Sequence, residues 1–267
     1  RDLIRGERPA VLVEADATDP AATSNALNSL SAALSPALQR DLQGSLGYLA
    51  PTASTIDLRV HARYNPEAIT QYNIVPGLMG VVLTMTMVMI TGLAITRERE
   101  SGTMETLLSM PTRPLEVLTG KIIPYILVGY LQVSLILLAA RFLFHVPIVG
   151  NLGWLYLAAL VFIAANLAVG ITFSTIAQNQ RQAIQITFFF FLPSLLLSGF
   201  MFPFRGMPVW AQTLGEVLPL THFLRIVRGI LLKGNGFDEI ARQLWQIALF
   251  AAIALTIGVK RYRRTLD

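Results

Sequence analysis

Few side chains in this sequence have the types and the spacing that chemistry on a substrate would need. The pair Gly120-Lys121 comes nearest to a phosphate-binding loop. However, Ile122 follows it where such a loop needs Ser or Thr, and Leu115 stands at the position of the first glycine. The sequence contains no Gly-x-Ser-x-Gly nucleophile elbow and no His-Glu-x-x-His zinc helix. There is also no cysteine, which excludes disulfides and thiolate metal sites.

Titratable side chains are also poorly placed for acid–base catalysis. The three histidines lie far apart, and none has the partner three or four residues away that a metal site would use. The paired carboxylates Glu98/Glu100 and Asp238/Glu239 lie in polar stretches beside basic residues, where a solvated surface charge is the ordinary role. The long apolar stretches contain no acidic residue, so an ion-coupled carrier lacks its usual side chains. We therefore expect no catalytic residue, no metal site and no cofactor bound by this chain.

The composition indicates a membrane protein. Hydrophobic residues make up 54% of the 267 residues and charged residues only 14%, with a mean hydropathy of +0.56. Soluble domains carry about 25% charged residues. Five apolar stretches are long enough to cross a bilayer, which takes about 20 residues each. We predict a polytopic all-α bundle with spans at residues 74–96, 122–141, 154–176, 183–203 and 242–259.

The positions of the basic residues predict the orientation in the membrane. Lys and Arg occur in the segment 97–121, near residues 178–182 and in the tail from Lys260, whereas the connection 145–153 has none. Cytoplasmic loops carry the excess of Lys and Arg, so the first three segments are predicted to face the cytoplasm and residues 1–73 to lie outside. An exported N-terminal region before five spans needs an upstream export signal, so we expect six spans in the complete protein. The net charge of +5 then reflects topology and anionic lipid rather than nucleic acid.

Residues 1–73 predict a small extracytoplasmic α+β domain that is incomplete at its N-terminus. Its predicted elements are a strand at 10–14, one or two helices over 21–46 with a break at Pro36, and a strand at 55–64. Apolar residues alternate along the second strand, which predicts that one of its faces is half buried. The pair Pro76-Gly77 is predicted to interrupt the chain at the entry to the first span.

Residues 207–233 fit neither a span nor an ordinary loop. Two amphipathic helices separated by Pro219 are predicted, and the second carries His222, Arg225 and Arg228 at a spacing of three. Two interpretations remain open. The helices either lie at the interface with their basic residues against headgroups, or form a re-entrant pair that acts as an outer gate beside a water-filled cavity.

Within the spans, a few polar and thioether side chains are candidates for a transport pathway. Gln132 and Asn166 are the costliest side chains to expose to lipid, so we expect them to face protein or a pathway. Met85 and Met89 are candidates for lining an apolar passage, although ordinary packing between helices is the more common role of such residues.

The segment 97–121, RERESGTMETLLSMPTRPLEVLTGK, is the densest block of charge between two apolar stretches. Residues 102–110 within it predict a helix about 13 Å long. Met104, Leu107 and Leu108 share one face of this helix, which has no core of its own to cover it. We expect another protein to cover that face. The alternative is a charged loop that lies flat on the lipid surface.

Four stretches of the chain resemble the permease subunits of ATP-binding-cassette (ABC) type-2 exporters, in their multidrug or lipid exporter branch. They are YNPEAITQYNIVPG at 64–77, RERESGTMETLLSMPTRPLEVLTGKIIP at 97–124, LSGFMFP at 197–203 and LPLTHFLRIVRGILLKG at 218–234. The resemblance covers nearly all of residues 64–260 and extends only loosely over 1–63. The segment 97–121 is the most specific match, and it departs from a capping box in having Gly102 where a hydroxyl residue would stand.

The resemblance implies a half-transporter permease in the bacterial inner membrane that exports a drug-like or lipophilic compound. It implies a dimer with a second copy or a paralogue, contacts with membrane lipid, and separate ATPase subunits that bind ATP and Mg²⁺. It also leaves room for a periplasmic adaptor as a further partner. An integral membrane transferase acting on a lipid-linked substrate at the outer face is the competing class.

The resemblance also implies roles for residues of this chain. Helix 102–110 would be the coupling helix that docks in a cleft of the ATPase. Pro219, His222, Arg225 and Arg228 would belong to the outer gate. The residues implied to contact the ATPase are Arg97, Glu98, Arg99, Glu100, Gly102, Thr103, Met104, Glu105, Leu107, Leu108, Pro111 and Arg113.

Overall fold

The computed structural model describes residues 10–41, 57–101 and 114–264. The chain divides into two compact units, Arg1–Asn73 and Ile74–Asp267. This boundary coincides with the one that the sequence predicts between the polar N-terminal region and the apolar remainder.

The first unit contains two strands with a helix between them in the chain. The elements are β1 (Ala10–Asp16), α1 (Pro20–Asp41) and β2 (Asp57–Arg63). The strands pair in parallel, with Ala10 opposite Asp57. Helix α1 runs through Pro36, so of the two alternatives the single helix forms here. The predicted half-burial of β2 holds for Leu58 and Ala62, whereas Val60 is 42% exposed.

The described part of the second unit is mainly helical. Its helices are α2 (Thr70–Glu100), α3 (Pro114–Phe142), α4 (Leu152–Ile176), α5 (Gln180–Leu197), α6 (Val209–Val217), α7 (Pro219–Arg228) and α8 (Phe237–Arg264). A short 3-10 turn, Phe204–Gly206, precedes α6, and a π-helical turn, Gly229–Lys233, follows α7.

Four helices in the described part of the chain are long and apolar enough to cross a membrane. They comprise Thr70–Glu98, Ile122–Phe142, Leu152–Ile176 and Phe237–Gly258. These correspond to the first, second, third and fifth predicted spans. Helix α5 stands where the fourth was predicted, but it has 18 residues and begins with Gln180, Arg181 and Gln182, which lower its mean hydropathy. Length and composition therefore support four of the five predicted spans.

Helix α2 differs from its predicted bounds at both ends. It begins at Thr70 and continues through Pro76, so the interruption predicted at Pro76-Gly77 is wrong. A proline inside a helix is tolerated in a membrane bundle, where neighbouring groups satisfy the freed carbonyl. Gly77 serves close packing instead, because a Cβ atom there would lie 2.5 Å from the ring of Phe200. At its other end α2 extends to Glu100 and takes up part of the predicted charged loop.

Helix α5 ends earlier than the fourth predicted span. It stops at Leu197, and Gly199 adopts a positive φ of 82°, a conformation that glycine takes without steric cost. Phe200 and Phe202, which the predicted span 183–203 includes, therefore lie in the turn after the helix. Phe200 packs against the core there, whereas Phe202 is exposed.

Helix α4 is the centre of the bundle. It is apolar around most of its circumference, and it is buried along most of its length by α3, α5, α7 and α8. The ring of Phe162 stacks on that of Phe223 in α7, with centroids 4.1 Å apart and planes 3° from parallel. Gly170 meets α2 so closely that a Cβ atom there would lie 2.7 Å from the Thr91 Cβ.

Candidate coupling and gating sites

Helices α6 and α7, which we call the hairpin, are joined by an ion pair. The Arg225 guanidinium donates to both carboxylate oxygens of Glu216, at 3.0 and 2.6 Å. Such bidentate pairs are the stronger kind of charge-assisted hydrogen bond. The guanidinium carbon also lies 4.7 Å from the centroid of the Phe204 ring. The hydrogen bonds from Arg225 lower the pKa of Glu216 against the raising effect of partial burial, and the charges of Arg225 and His222 add to this lowering.

His222 connects the hairpin to α8. Its side chain is buried, with 1% of its surface exposed. Nδ1 lies 2.7 Å from Oε1 of Gln243, and Nε2 lies 2.8 Å from the backbone carbonyl of Glu216, to which it can donate. Both ring nitrogens therefore have partners within the protein, and the ring stabilises the junction of α6, α7 and α8.

Arg228 and Pro219 complete the set of residues predicted for an outer gate. Pro219 is the first residue of α7, a position where the absent N–H costs no hydrogen bond. Nη1 of Arg228 donates to the carbonyl of Gly199 at 3.2 Å, which ties α7 to the turn after α5. The four predicted residues thus lie on one short helix, and three of them contact neighbouring elements through their side chains.

The two halves of the hairpin have different surroundings. Most of α7 is buried inside the bundle, whereas a helix lying flat on headgroups would keep its basic face exposed. Helix α6 buries only its small residues Ala211 and Gly215. Its bulky apolar residues are exposed, including Val209 and Trp210, which fits a helix in contact with lipid.

The sequence did not reveal the partners of these basic residues. Glu216 stands nine residues before Arg225, on the other side of a helix break, and Gln243 lies on a different helix. A helical spacing rule connects residues three or four positions apart on one helix, so it could not pair these side chains.

A second set of contacts lies where α2 ends and α5 begins. Oε1 of Glu100 accepts a hydrogen bond from the backbone N–H of Gln180 at 2.8 Å, and its other carboxylate oxygen accepts one from the Gln180 side chain. Both hydrogen bonds lower the pKa of Glu100, and the one from the Gln180 side chain has the larger effect. The charge of Arg181 lowers this pKa further. Asn179 caps α5 by accepting from the N–H of Gln182 at 2.8 Å.

The residues predicted to contact an ATPase fall into two groups. Arg97, Glu98, Arg99 and Glu100 form the end of α2. The predicted coupling helix at 102–110 lies outside the described residues. With it lie Gly102, Thr103, Met104, Glu105, Leu107, Leu108, Pro111 and Arg113.

The candidate pathway residues lie on three helices. Gln132 is half buried on α3, and its Oε1 accepts from the Thr86 hydroxyl of α2 at 2.9 Å. Asn166 is fully buried in α4 and donates to the carbonyl of Phe162 at 2.9 Å. Both amides therefore lie against protein. Met85 and Met89, on α2, are half buried.

The known proteins to which this chain is similar include three that are named as permeases. The "Probable multidrug ABC transporter permease YbhS" of Escherichia coli K12 is 36% identical over 215 residues, which are 79% of this chain and 56% of the relative. The corresponding permease YbhR is 29% identical over 214 residues, 80% of this chain and 58% of the relative. The "Inner membrane transport permease YhhJ" of the same organism is 30% identical over 276 residues, 100% of this chain and 71% of the relative.

The chain thus spans little more than half the length of the two multidrug-permease relatives. A family model described as "ABC-2 family transporter protein" matches residues 1–260. The match includes the N-terminal unit, over which the sequence resemblance is loose. The chain belongs to the ABC-2 transporter family of integral membrane proteins.

Proposed function

We propose that this chain supplies most of a permease subunit of an ABC exporter in the bacterial inner membrane. The permease moves a drug-like or lipophilic compound outward, and a separate ATPase subunit hydrolyses the ATP. The observation that carries the proposal is the ABC-2 family match over residues 1–260, together with four helices of membrane-spanning length among the described residues. The cargo class rests on the relatives whose names describe probable multidrug permeases.

Contacts at the two ends of the bundle support the orientation proposed for the permease. Glu100 at the end of α2 binds Gln180 at the start of α5, so residues 97–101 and 178–182 lie at the same end of the bundle. At another junction the N–H groups of Val149 and Gly150 donate to carbonyls of the π-helical turn, at 3.0 Å each. We place the first end, with its Lys and Arg residues, in the cytoplasm and the second end outside.

Helix α2 provides the proposed connection from the ATPase to the pathway. It runs without a break from Thr70 to Glu100, and the predicted coupling helix at 102–110 follows it directly. Closure of the ATPase subunits on ATP would shift helix 102–110 and thereby α2 in each copy of a permease dimer. The two states of the dimer must differ in their contacts with the ATPase for ATP binding to shift their populations.

The geometry of the hairpin disfavours the alternative of a membrane transferase. A general base there would have to reach a lipid-linked substrate, but His222 is buried with both ring nitrogens engaged. The Glu216 carboxylate is bound by Arg225 and has a lowered pKa, the opposite of what a general acid needs. We therefore assign this chain a transport role. Its proposed partners are an ATPase that holds ATP and Mg²⁺, a second permease copy or paralogue, and membrane lipid, and the proposal leaves room for a periplasmic adaptor.

The test is purification of the tagged full-length permease from native membranes, followed by an ATPase assay of the recovered complex. We expect a stoichiometric ATPase subunit with the wild-type chain. We expect its loss, with loss of transport, when Leu107 and Leu108 are both replaced by Asp, because two carboxylates would have to enter the apolar floor of the docking cleft.

The matched control is Leu12→Asp. This residue is 64% exposed on β1, outside the spans and outside the segment 97–121, so a carboxylate there meets water and not the proposed docking site. The control variant should retain the ATPase. A wild-type permease that carries no ATPase, or normal transport by the Leu107/Leu108 double variant, would overturn the proposed function.

A further inference from the structure

We propose that Glu100 is a positioning residue that fastens the start of α5 to the end of α2. Helix α5 would then carry the movement of the coupling segment, residues 102–113, to the hairpin. This inference rests on the proposed function, because it concerns how ATP-driven movement at the cytoplasmic end reaches the outer end.

The contact between α2 and α5 involves the first residue of α5, Gln180. Glu100 is the last residue of α2, and its two carboxylate oxygens accept from the backbone N–H and the side-chain amide of Gln180. A carboxylate at this place also interacts favourably with the partial positive charge of the helix N-terminus. A displacement of the end of α2 therefore acts directly on the first turn of α5.

Helix α5 is long enough to connect this contact with the hairpin. Its 18 residues span about 27 Å at 1.5 Å per residue. At the far end its last residue, Leu197, packs against α6 so closely that a Cβ atom on Gly215 would lie 2.5 Å from the Leu197 carbonyl oxygen. The Arg228 side chain holds the adjoining turn through the Gly199 carbonyl. Movement of α5 along its axis would thus press on both α6 and α7.

Because Glu100 is exposed, we expect its loss to weaken coupling and to have little effect on folding stability. Exposed polar contacts contribute little to folding stability, because water screens them and competes for the same hydrogen bonds. Glu100 and its partner lie at the surface. Removal of the contact should therefore leave a folded, assembled transporter in which hydrolysis and transport are poorly coupled.

The first experiment measures transport per ATP hydrolysed by the full-length permease with its ATPase, reconstituted in liposomes. We expect Glu100→Ala to lower this ratio roughly fivefold or more, the lower range of ordinary coupling energies. Gln180→Glu should lower it too, because it places two carboxylates together. The exchange Glu100→Gln/Gln180→Glu should restore it, since amide and carboxylate then meet again with their places exchanged.

The matched control is Glu239→Ala. Glu239 is another exposed carboxylate near a helix N-terminus, where its Oε2 accepts from the N–H of Gly236 at 2.8 Å ahead of α8. In the described part of the chain its hydrogen bond is to the turn ahead of α8 and not to α2 or α5, so its loss should leave the ratio unchanged. A wild-type ratio in Glu100→Ala, or an equal loss in Glu239→Ala, would refute the positioning role.

A second experiment measures the contact itself. The chain has no cysteine, so spin labels will attach only at the introduced cysteines Ser101→Cys and Gln178→Cys. Both positions are exposed and lie next to the contact in the sequence. We expect the distribution of distances between the labels to be the same in the nucleotide-free and the ATP-bound complex. With Glu100→Ala this distribution should broaden or shift. A wild-type distance that changes with ATP would show that the two helix ends move independently and would refute the inference. Absence of a bound ATPase would instead refute the proposed function.

Discussion

Replacement of Gly170 by Ala tests the closest approach between α2 and α4. A Cβ atom at Gly170 would lie 2.7 Å from the Thr91 Cβ and 2.9 Å from the backbone oxygen of Val88. Carbon atoms pack at about 3.5–4.0 Å, so the two helices would have to separate by roughly 1 Å. A backbone oxygen cannot rotate away, which leaves movement of a whole helix as the only relief.

Two opposing effects set the magnitude. Overpacking of a well-packed core costs about 1–3 kcal/mol, whereas exchange of Gly for Ala inside a helix gains about 1 kcal/mol. Because one of the two clashing atoms is a backbone oxygen, we expect the upper part of the overpacking cost, about 2–3 kcal/mol, and hence a net loss of about 1–2 kcal/mol for Gly170→Ala. Gly92→Ala is the matched control on the same contact. There a Cβ atom would lie 3.9 Å from its nearest neighbours, so only the favourable helix term remains.

The assay is reversible unfolding of the full-length protein in mixed detergent micelles, followed by circular dichroism. The two alanine variants should move in opposite directions and differ by about 2–3 kcal/mol. If Gly170→Ala were as stable as the wild type, or if both variants shifted the same way, the close crossing of α2 and α4 would be refuted.

Two further predictions concern the hairpin. Phe223→Ala should cost about 3–5 kcal/mol because it empties a buried site in the core. Phe202→Ala, at an exposed ring, should change stability by no more than about 0.5 kcal/mol, and equal melting temperatures would contradict the placement of α7 in the core. Arg225 lowers the pKa of Glu216 below its ordinary 4.5, so their pair stabilises the protein above that value and is lost as the pH falls through the lowered pKa. Between about pH 5 and pH 3 the melting temperature should therefore fall more steeply with falling pH for the wild type than for Glu216→Gln. An equal pH dependence of the two melting temperatures would contradict the ion pair.

The spans were predictable because their signal lies in local composition. A bilayer requires about 20 apolar residues in a row, and the backbone in lipid must satisfy its own hydrogen bonds, so a helix follows from hydropathy alone. Four predicted spans appear as helices for this reason. Their bounds were less predictable, because Pro76 does not interrupt α2 and α5 ends at Leu197, before Phe200 and Phe202. Whether such a residue interrupts a helix depends on the side chains that pack against it in the folded protein.

The family was also readable from the sequence, since the charged segment between two spans and the pattern of the hairpin are contiguous in the chain. The environment of the hairpin was not. Its basic residues were compatible with lipid headgroups as long as their partners were unknown, and those partners are Glu216, Gln243 and Gly199. The same holds for Glu100, whose acceptor role toward α5 joins residues 80 positions apart.

By itself, the sequence determined the membrane class, the approximate spans and the ABC-2 resemblance of this protein. Only the tertiary structure decided that α7 is buried, that α6 keeps an exposed apolar face, and that the end of α2 holds the start of α5. Hydropathy and helical periodicity act over neighbouring residues, whereas hydrogen bonds and close packing join side chains wherever folding brings them together.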